Sequence, residues 1–370
     1  MTDTDVIIVG AGAVGLAVGR ALASRGQQVI VLEKNDRFGE ETSARNSEVI
    51  HAGMYYPTGS LKARLCVAGK HAMYQFCAER GISARALGKL IVAPRPEDLP
   101  ALKVIHDRGH ANDIPDLEII GPERIAQMEP EIVAAAAIWS PSSGIVDSHS
   151  YMLALLGVIE DHGGALARNA PFLSAVPIKG GFEVRVGGNE PMTLTTRQLV
   201  LSAGLWSTQA GRAVDGLDPA LVPETKFAKG NYFTYGGKAP FKHLIYPMPS
   251  VGGLGIHVTP DMAGHARFGP DVQPVETLDY RVDETRKSIF AASIRAYWPK
   301  LDESLMQPDY TGIRPKIGNA LTQFEDFRIL DHTVHGLEGL VCLFGIDSPG
   351  LTSSFAIGEE VAQRLGQSAL

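Results

Sequence analysis

The sequence predicts an α/β protein in which a Rossmann-like βαβ domain is interleaved with a smaller domain built on a mostly antiparallel sheet. Three observations predict it. The chain opens on a strand, a glycine-rich turn, a helix and a second strand. Apolar strands then alternate with helical segments along much of its length. Between Val222 and Arg267 the pattern changes to short strands broken by many Gly and Pro.

The opening unit is the most informative stretch. Val6 to Val9 is a β-branched run long enough for one buried strand. Gly10, Gly12 and Gly15 follow in G-x-G-x-x-G spacing, with Ala13 and Val14 inside it. Such a spacing allows a tight turn at Gly10, backbone approach of a pyrophosphate at Gly12, and close helix–strand packing at Gly15. Leu16 to Arg25 is rich in helix formers, Gly26 stops it, and Val29 to Leu32 is a second strand. That strand ends in Glu33, followed by Lys34. A carboxylate there can accept the hydroxyls of an adenosine ribose, and the helix N-terminus favours phosphate. The spacing alone also occurs in chance glycine-rich turns. Here strand, glycines, helix, strand and acid all fall in register, which points to NAD or FAD.

Composition narrows the class. A chain of 370 residues suits two domains, and 45% hydrophobic with 20% charged residues is ordinary for a globular enzyme. A net charge of −7 speaks against nucleic acid as a partner. Cys66, Cys77 and Cys342 are widely spaced and form no C-x-x-C, so neither a zinc site nor a dithiol motif is expected. An odd count of cysteines suits a reducing compartment, and the cytoplasm is expected. Asp3 and Asp5 occupy the place of a basic signal-peptide region. No run of 18 apolar residues occurs, so no integral membrane span is expected; peripheral attachment is compatible with this.

The remaining elements follow in order. Lys34 to Glu41 is polar. Thr42-Ser-Ala-Arg-Asn-Ser47 offers small hydroxyls that suit phosphate or a helix cap equally. Val49 to Tyr56 carries His51. Ser60 to Arg80 reads as a helix, Leu90 to Ala93 as a strand, Glu97 to Ala111 and Pro122 to Met128 as helices, and Ala134 to Trp139 as a strand. His106 and His110 stand four apart on one of these helices without an evident carboxylate partner, and read as surface residues. A helix over Tyr151 to His162 has Asp147 or Ser148 as its cap. Strands follow at Phe182 to Val186 and Leu194 to Leu201, the second running into Ala203-Gly204. Gly230 to Tyr235, Leu244 to Met248 and Gly253 to Thr259 are short strands. Arg281 to Trp298 reads as one helix, and Asp309 to Lys316 as a strand with a constrained turn at Gly312-Ile-Arg-Pro. Strands at Arg328 to Asp331 and Gly339 to Gly345 precede a last helix, Leu351 to Leu365.

Only one nucleotide fingerprint is well formed. Gly252-Gly-Leu-Gly-Ile-His257 has glycines but no helical pattern behind it. Gly345-Ile-Asp-Ser-Pro-Gly-Leu-Thr352 places a glycine-rich turn before a helix N-terminus, a second anion-favouring end. A plain strand-to-helix turn would look similar.

The opening unit, Thr42 to Ser47, Val49-Ile-His-Ala-Gly-Met-Tyr-Tyr56, Lys62-Ala-Arg-Leu-Cys66, Gly144-Ile-Val-Asp147, Ser202-Ala-Gly-Leu-Trp206, Leu244-Ile-Tyr-Pro247, Gly312-Ile-Arg-Pro315 and Asp347-Ser-Pro-Gly-Leu-Thr352 together resemble the FAD-dependent D-amino-acid oxidase superfamily. Within it they resemble most the L-2-hydroxyglutarate dehydrogenase/oxidase branch, nearly end to end. Arg45 departs from that pattern, where a histidine is frequent. The resemblance implies FAD, held non-covalently because no cysteine is placed for a thioether. It implies oxidation of a small anionic 2-hydroxy acid by hydride transfer to flavin N5, with electrons passed to a quinone or oxygen. Amino-acid or glycerol 3-phosphate oxidation on the same scaffold is the alternative within the class, and a non-catalytic flavin-binding protein the alternative outside it. Residues expected around FAD are Gly10, Gly12, Ala13, Val14, Gly15, Glu33, Lys34, Thr42, Ser43, Asn46, Ser47, Val176, Ala203, Gly204, Gly345, Pro349, Gly350, Leu351 and Thr352. The FAD-binding domain is expected over 1–85, 145–220 and 320–370, and the substrate-binding domain over 86–144 and 221–319.

Oxidising a carbon that bears a hydroxyl needs a proton acceptor and a cation for the neighbouring carboxylate. Arg314 is the expected cation, because a guanidinium holds a carboxylate through two bonds. His51 and His257 compete for the base, since imidazole titrates near neutral pH; each could equally be a hydrogen-bonded core residue. Tyr56 and Tyr246 are expected to orient the substrate, or else to be core aromatics. A second substrate carboxylate would want a second cation, for which Lys229, Arg45 and Arg64 are open.

Overall fold

Thr4–Val9 carries the βαβ signal into three dimensions: Val6, Ile7, Ile8 and Val9 are all buried, as expected of a parallel strand covered on both faces. The computed structural model describes residues 2–248, 255–319 and 323–366. The chain divides into two units. The first takes Met1–Ala44, Ser148–Phe227 and Arg314–Leu370, the second Arg45–Asp147 and Ala228–Ile313.

In the first unit, Thr4–Val9 pairs in parallel with Val29–Leu32 on one side and with Met192–Leu201 on the other. Leu340–Phe344 continues the parallel ladder beyond Met192–Leu201, and Ala165–Ala167 extends it beyond Val29–Leu32. Two antiparallel strands, Phe172–Ile178 and Gly181–Val186, complete a meander with Met192–Leu201. The sequence reading did not anticipate Ala165–Ala167 or Phe172–Ile178. Both are short on alternating apolar residues, and their strand character comes from pairing. The helix Ala13–Ala23 packs between Ser148–Asp161 and the final helix, Gly350–Gly366. Arg20 and Arg25 both reach Glu359 on that final helix, at 2.7 and 2.6 Å.

The second unit is built on an antiparallel-rich sheet in which Lys89–Ala93 lies between Leu244–Pro247 and Ala136–Ser140. Its core gathers Leu90, Val92, Phe233, Ile245, Val258, Phe268, Phe290 and Trp298. A small three-stranded sheet pairs Val49–Ile50 and Ala84–Arg85 with Gly144–Val146. That sheet is why residues 45–85 fall in the second unit rather than with the first 44, a different division from the one the sequence suggested. The helix Leu61–Arg80 belongs here too. Ser60 caps it, its Oγ accepting from Ala63 N at 3.1 Å, and Gly81 ends it in the left-handed region.

Several expectations need correction. The helix expected over Arg281 to Trp298 is a short 3₁₀ turn, Glu284–Arg286, followed by Lys287–Arg295. Asp283 fixes the entry by accepting from Thr285 N. The Gly312-Ile-Arg-Pro segment is no turn: it lies within the strand Met306–Lys316. Glycine is required there because a Cβ on Gly312 would stand 1.9 Å from the Arg45 carbonyl oxygen. His106 does have an acid beside it, Asp107, at 3.3 Å, and its Nε2 faces that of His110 at 3.1 Å. The glycine run at 252–254 and the start of the strand expected from Gly253 lie outside the described residues, where the nearest strand is Val258–Pro260. Among the described residues no helix is long and apolar enough to cross a membrane.

Candidate active site

Each unit gathers its own cluster of the residues singled out above. In the first, Gly10 has a φ of +101°, and a Cβ there would lie 2.7 Å from the Ser202 carbonyl oxygen. A Cβ on Gly15 would be 1.9 Å from the Gly10 carbonyl oxygen. These contacts lock the turn against the end of Met192–Leu201 and so place Ala203 and Gly204 beside it. Gly12 is the N-cap of the helix and supplies no side-chain cap, so the first-turn N–H groups of Val14 and Gly15 stay available to an anion. Ala13 N donates instead to Ser43 Oγ at 3.0 Å, which brings the Thr42–Ser43 loop to the same helix end.

Glu33 is buried and binds the turn from below. One carboxylate oxygen accepts from Ala11 N and the other from Asn35 N, both at 2.9 Å. Burial raises its pKa, and those two backbone donors oppose the shift. Each oxygen keeps a further lone pair, so ribose hydroxyls can still donate to it. Lys34 is engaged with Glu41 at 2.7 Å and lies 4.4 Å from the Trp206 ring centre. Gly345 (φ +66°), Pro349, Gly350, Leu351 and Thr352 form the C-terminal turn and the start of Gly350–Gly366. Lys316 Nζ holds that turn by donating to Asp347 at 2.7 Å. Val176 is not brought into this cluster: it is exposed on Phe172–Ile178, with two strands between its own and Thr4–Val9. The glycine turn, the helix N-terminus and the buried acid together form a cradle that fits FAD.

In the second unit the residues converge on Tyr246, in Leu244–Pro247. Its ring stacks on His257 with centres 3.4 Å apart and planes 10° apart. His51 meets it edge-on at 6.5 Å. Lys89 Nζ lies 4.0 Å from the ring centre. Both expected histidines and one expected tyrosine are thus together. Burial holds His51 well below the usual histidine range, and the charges of Lys89 and His257 push in the same direction. Burial lifts the Tyr246 hydroxyl well above its ordinary value, with Tyr55 and Tyr232 adding to the shift. Cys66, on Leu61–Arg80, donates its thiol toward the His51 carbonyl at 3.5 Å, and burial pushes it up to about 12. Such burial disfavours the thiolate, which is the nucleophilic form.

Other expected residues have different surroundings. Tyr56 has its carbonyl oxygen accepting from Asn112 Nδ2 at 2.9 Å. Ser47 Oγ is 3.1 Å from the Tyr232 hydroxyl, and Asn46 Oδ1 accepts from Glu48 N at 2.8 Å. Arg314 is half-buried near the end of Met306–Lys316. Of the candidate second cations, Lys229 donates to the Arg281 carbonyl and sits 3.8 Å from Asp279, Arg45 lies 4.5 Å from the Tyr280 ring centre, and Arg64 is exposed. Sequence reading missed Tyr55, Cys66 and Lys89. A signal for Lys89 was present: a lysine heading the apolar run Lys89-Leu-Ile-Val-Ala93.

Comparison with known proteins follows the same lines. Residues 5–364 match the family model described as FAD dependent oxidoreductase. An Arabidopsis thaliana protein named L-2-hydroxyglutarate dehydrogenase, mitochondrial, is 39% identical over 97% of this chain and 83% of its own. A Bos taurus protein of the same name is 33% identical over 98% of this chain and 89% of its own. A solved structure of dithionite-reduced L-alpha-glycerophosphate oxidase from Mycoplasma pneumoniae with FAD bound has a TM-score of 0.87. It covers 99% of this chain and 95% of that one at 23% identity, a likeness of fold.

Proposed function

The chain belongs to the FAD-dependent oxidoreductase family, and from that premise we propose that it oxidises a small 2-hydroxy acid of the L-2-hydroxyglutarate kind. The observation that carries this reading is the 39% identity, over 97% of the chain, to a protein named L-2-hydroxyglutarate dehydrogenase. His51 is the base it calls for, a half-buried imidazole beside Tyr246 whose pKa is lowered by desolvation and by the charges of Lys89 and His257. Removing a hydroxyl proton at neutral pH needs such a base, unprotonated before substrate arrives. FAD, when bound, supplies the acceptor for the hydride at flavin N5. The chain's own residues do the rest: His51 takes the hydroxyl proton, Arg314 holds the carboxylate, and Tyr246 and Tyr56 orient the substrate. His257 supports Tyr246 through its stacked ring. Thr42, Ser43, Asn46 and Ser47, with the turn from Gly345 to Thr352, are assigned to FAD, and the electrons to a quinone or oxygen. The cytoplasm is part of the proposal. Three buried free thiols suit a reducing compartment, and imaging of a tagged chain checks it against the mitochondrial location in the relatives' names.

Anaerobic bleaching of the flavin tests the reading directly. L-2-hydroxyglutarate is expected to bleach it, while the D-isomer, L-glutamate and glycerol 3-phosphate are not. Bleaching by an amino acid alone would overturn the substrate class. Replacing Arg314 gives a second check. An orientating, charge-assisted pair is worth about 2–5 kcal/mol when one partner is truncated, so Arg314→Ala should cost about 30-fold or more in kcat/KM with FAD retained. Arg314→Lys recovers part of that, because a point charge lacks the guanidinium fork. If single-turnover reduction in Arg314→Ala matches the parent at low substrate, the arginine is structural.

A further inference from the structure

Lys89 is a buried lysine with no part in holding FAD or in taking the hydroxyl proton. It heads the strand Lys89–Ala93, in which all five residues are buried, and it is itself 0% exposed. Among the described residues its Nζ has no hydrogen-bond partner. The groups around it are the Tyr246 ring, His51 and the Cys66 thiol, with His257 behind Tyr246. None of these is a carboxylate. Attraction to the face of Tyr246 offsets only part of the cost of desolvating an ammonium.

Other lysines in the chain show what a structural role looks like. Lys316 pairs with Asp347 at 2.7 Å, and Lys70 donates to Ser142 Oγ at 3.0 Å. Lys89 has neither kind of partner, and it points at the same ring that His51 and His257 flank. An unpaired cation in such a place is destabilising by itself, and an incoming anion relieves it. Burial holds its pKa down to about 7, and a bound anion would favour its charged form.

We propose that Lys89 binds the second carboxylate of a 2-hydroxy diacid and so sets a preference for diacids over 2-hydroxy monoacids. This rests on the reading that the chain oxidises 2-hydroxy acids, and it names the cation that reading lacked. Lys229, Arg45 and Arg64 are already engaged or exposed. A lysine suits the distal group, which needs a charge but no fixed plane.

The test compares FAD-loaded parent and Lys89→Met with L-2-hydroxyglutarate and with L-2-hydroxypentanoate, a monoacid of the same carbon count. Lys89→Met is expected to raise KM for the diacid by at least about 30-fold. That loss should exceed the loss for the monoacid by at least about tenfold, with Tm equal to or above that of the parent. Equal losses on both acids, or an unchanged KM for the diacid, would overturn the proposal. Glutarate, which has no hydroxyl to oxidise, gives a readout free of turnover: it should raise the Tm of the parent and not that of Lys89→Met. If the parent bleaches with neither hydroxy acid, the functional reading fails and the glutarate shift still decides the role of Lys89. Lys89→Gln provides the same comparison if the Met variant is insoluble.

Discussion

Replacing His51 by glutamine is expected to lower the limiting rate of flavin reduction by about 10²–10⁴-fold, the usual contribution of a positioned general base. FAD should stay bound, because the residues assigned to its phosphates and ribose lie elsewhere in the sequence. The pH dependence identifies the base more sharply than the rate does. A base works only when unprotonated, so reduction falls as pH drops through its pKa. Burial and the charges of Lys89 and His257 hold His51 well below the ordinary value of 6.5. The acidic limb in the parent should therefore lie below 6.5, with a flat rate across neutrality, and His51→Gln should abolish that limb. His257→Gln should keep the limb and lower Tm, because its ring is 5% exposed and stacked on Tyr246. Stopped-flow reduction under anaerobic conditions between about pH 5 and 8, on either side of the unperturbed imidazole value, separates the two. A limb that survives in His51→Gln and vanishes in His257→Gln would exchange their roles.

Gly12→Val should yield protein without flavin. A Cβ at Gly12 already lies 2.9 Å from Ser43 Oγ, the atom that caps Ala13 N. Valine adds two methyl groups where a pyrophosphate must approach the helix end. Weakening of FAD by at least about 100-fold is expected, equivalent to about 2.7 kcal/mol. Purified Gly12→Val that keeps its full yellow absorbance would show that this turn does not receive the phosphates.

What could be read from the sequence was whatever is local. The opening βαβ unit is contiguous, and its glycines, helix and acid fall where the structure has them. The helices over Leu61–Arg80 and Pro122–Met128 were legible for the same reason: caps and apolar spacing sit in the segment itself. The cluster around Tyr246 was legible only as separate residues. His51, Lys89 and the Tyr246–His257 pair are far apart in sequence, and strand pairing brings Lys89–Ala93 beside Leu244–Pro247 with Tyr246 opposite Ile91. No local pattern carries that register. Gly312 misled for a related reason. A glycine before Ile-Arg-Pro looks like a turn, while the structure needs it because the Arg45 carbonyl passes close by.

The three-segment build of the first unit bears on how it is made. Val6 takes as one neighbour Val29, available almost at once, and as the other Gln198, which leaves the ribosome 192 residues later. At roughly 5–20 residues per second that is a wait of about 10–40 s. The next strand in the ladder, Leu340–Phe344, and Glu359, which receives both Arg20 and Arg25, arrive later still. The nucleotide cradle is therefore synthesised well before the strands that complete the sheet it depends on. During that interval the nascent chain carries one unpaired strand edge along the apolar run Val6–Val9, the kind of edge that invites wrong pairing.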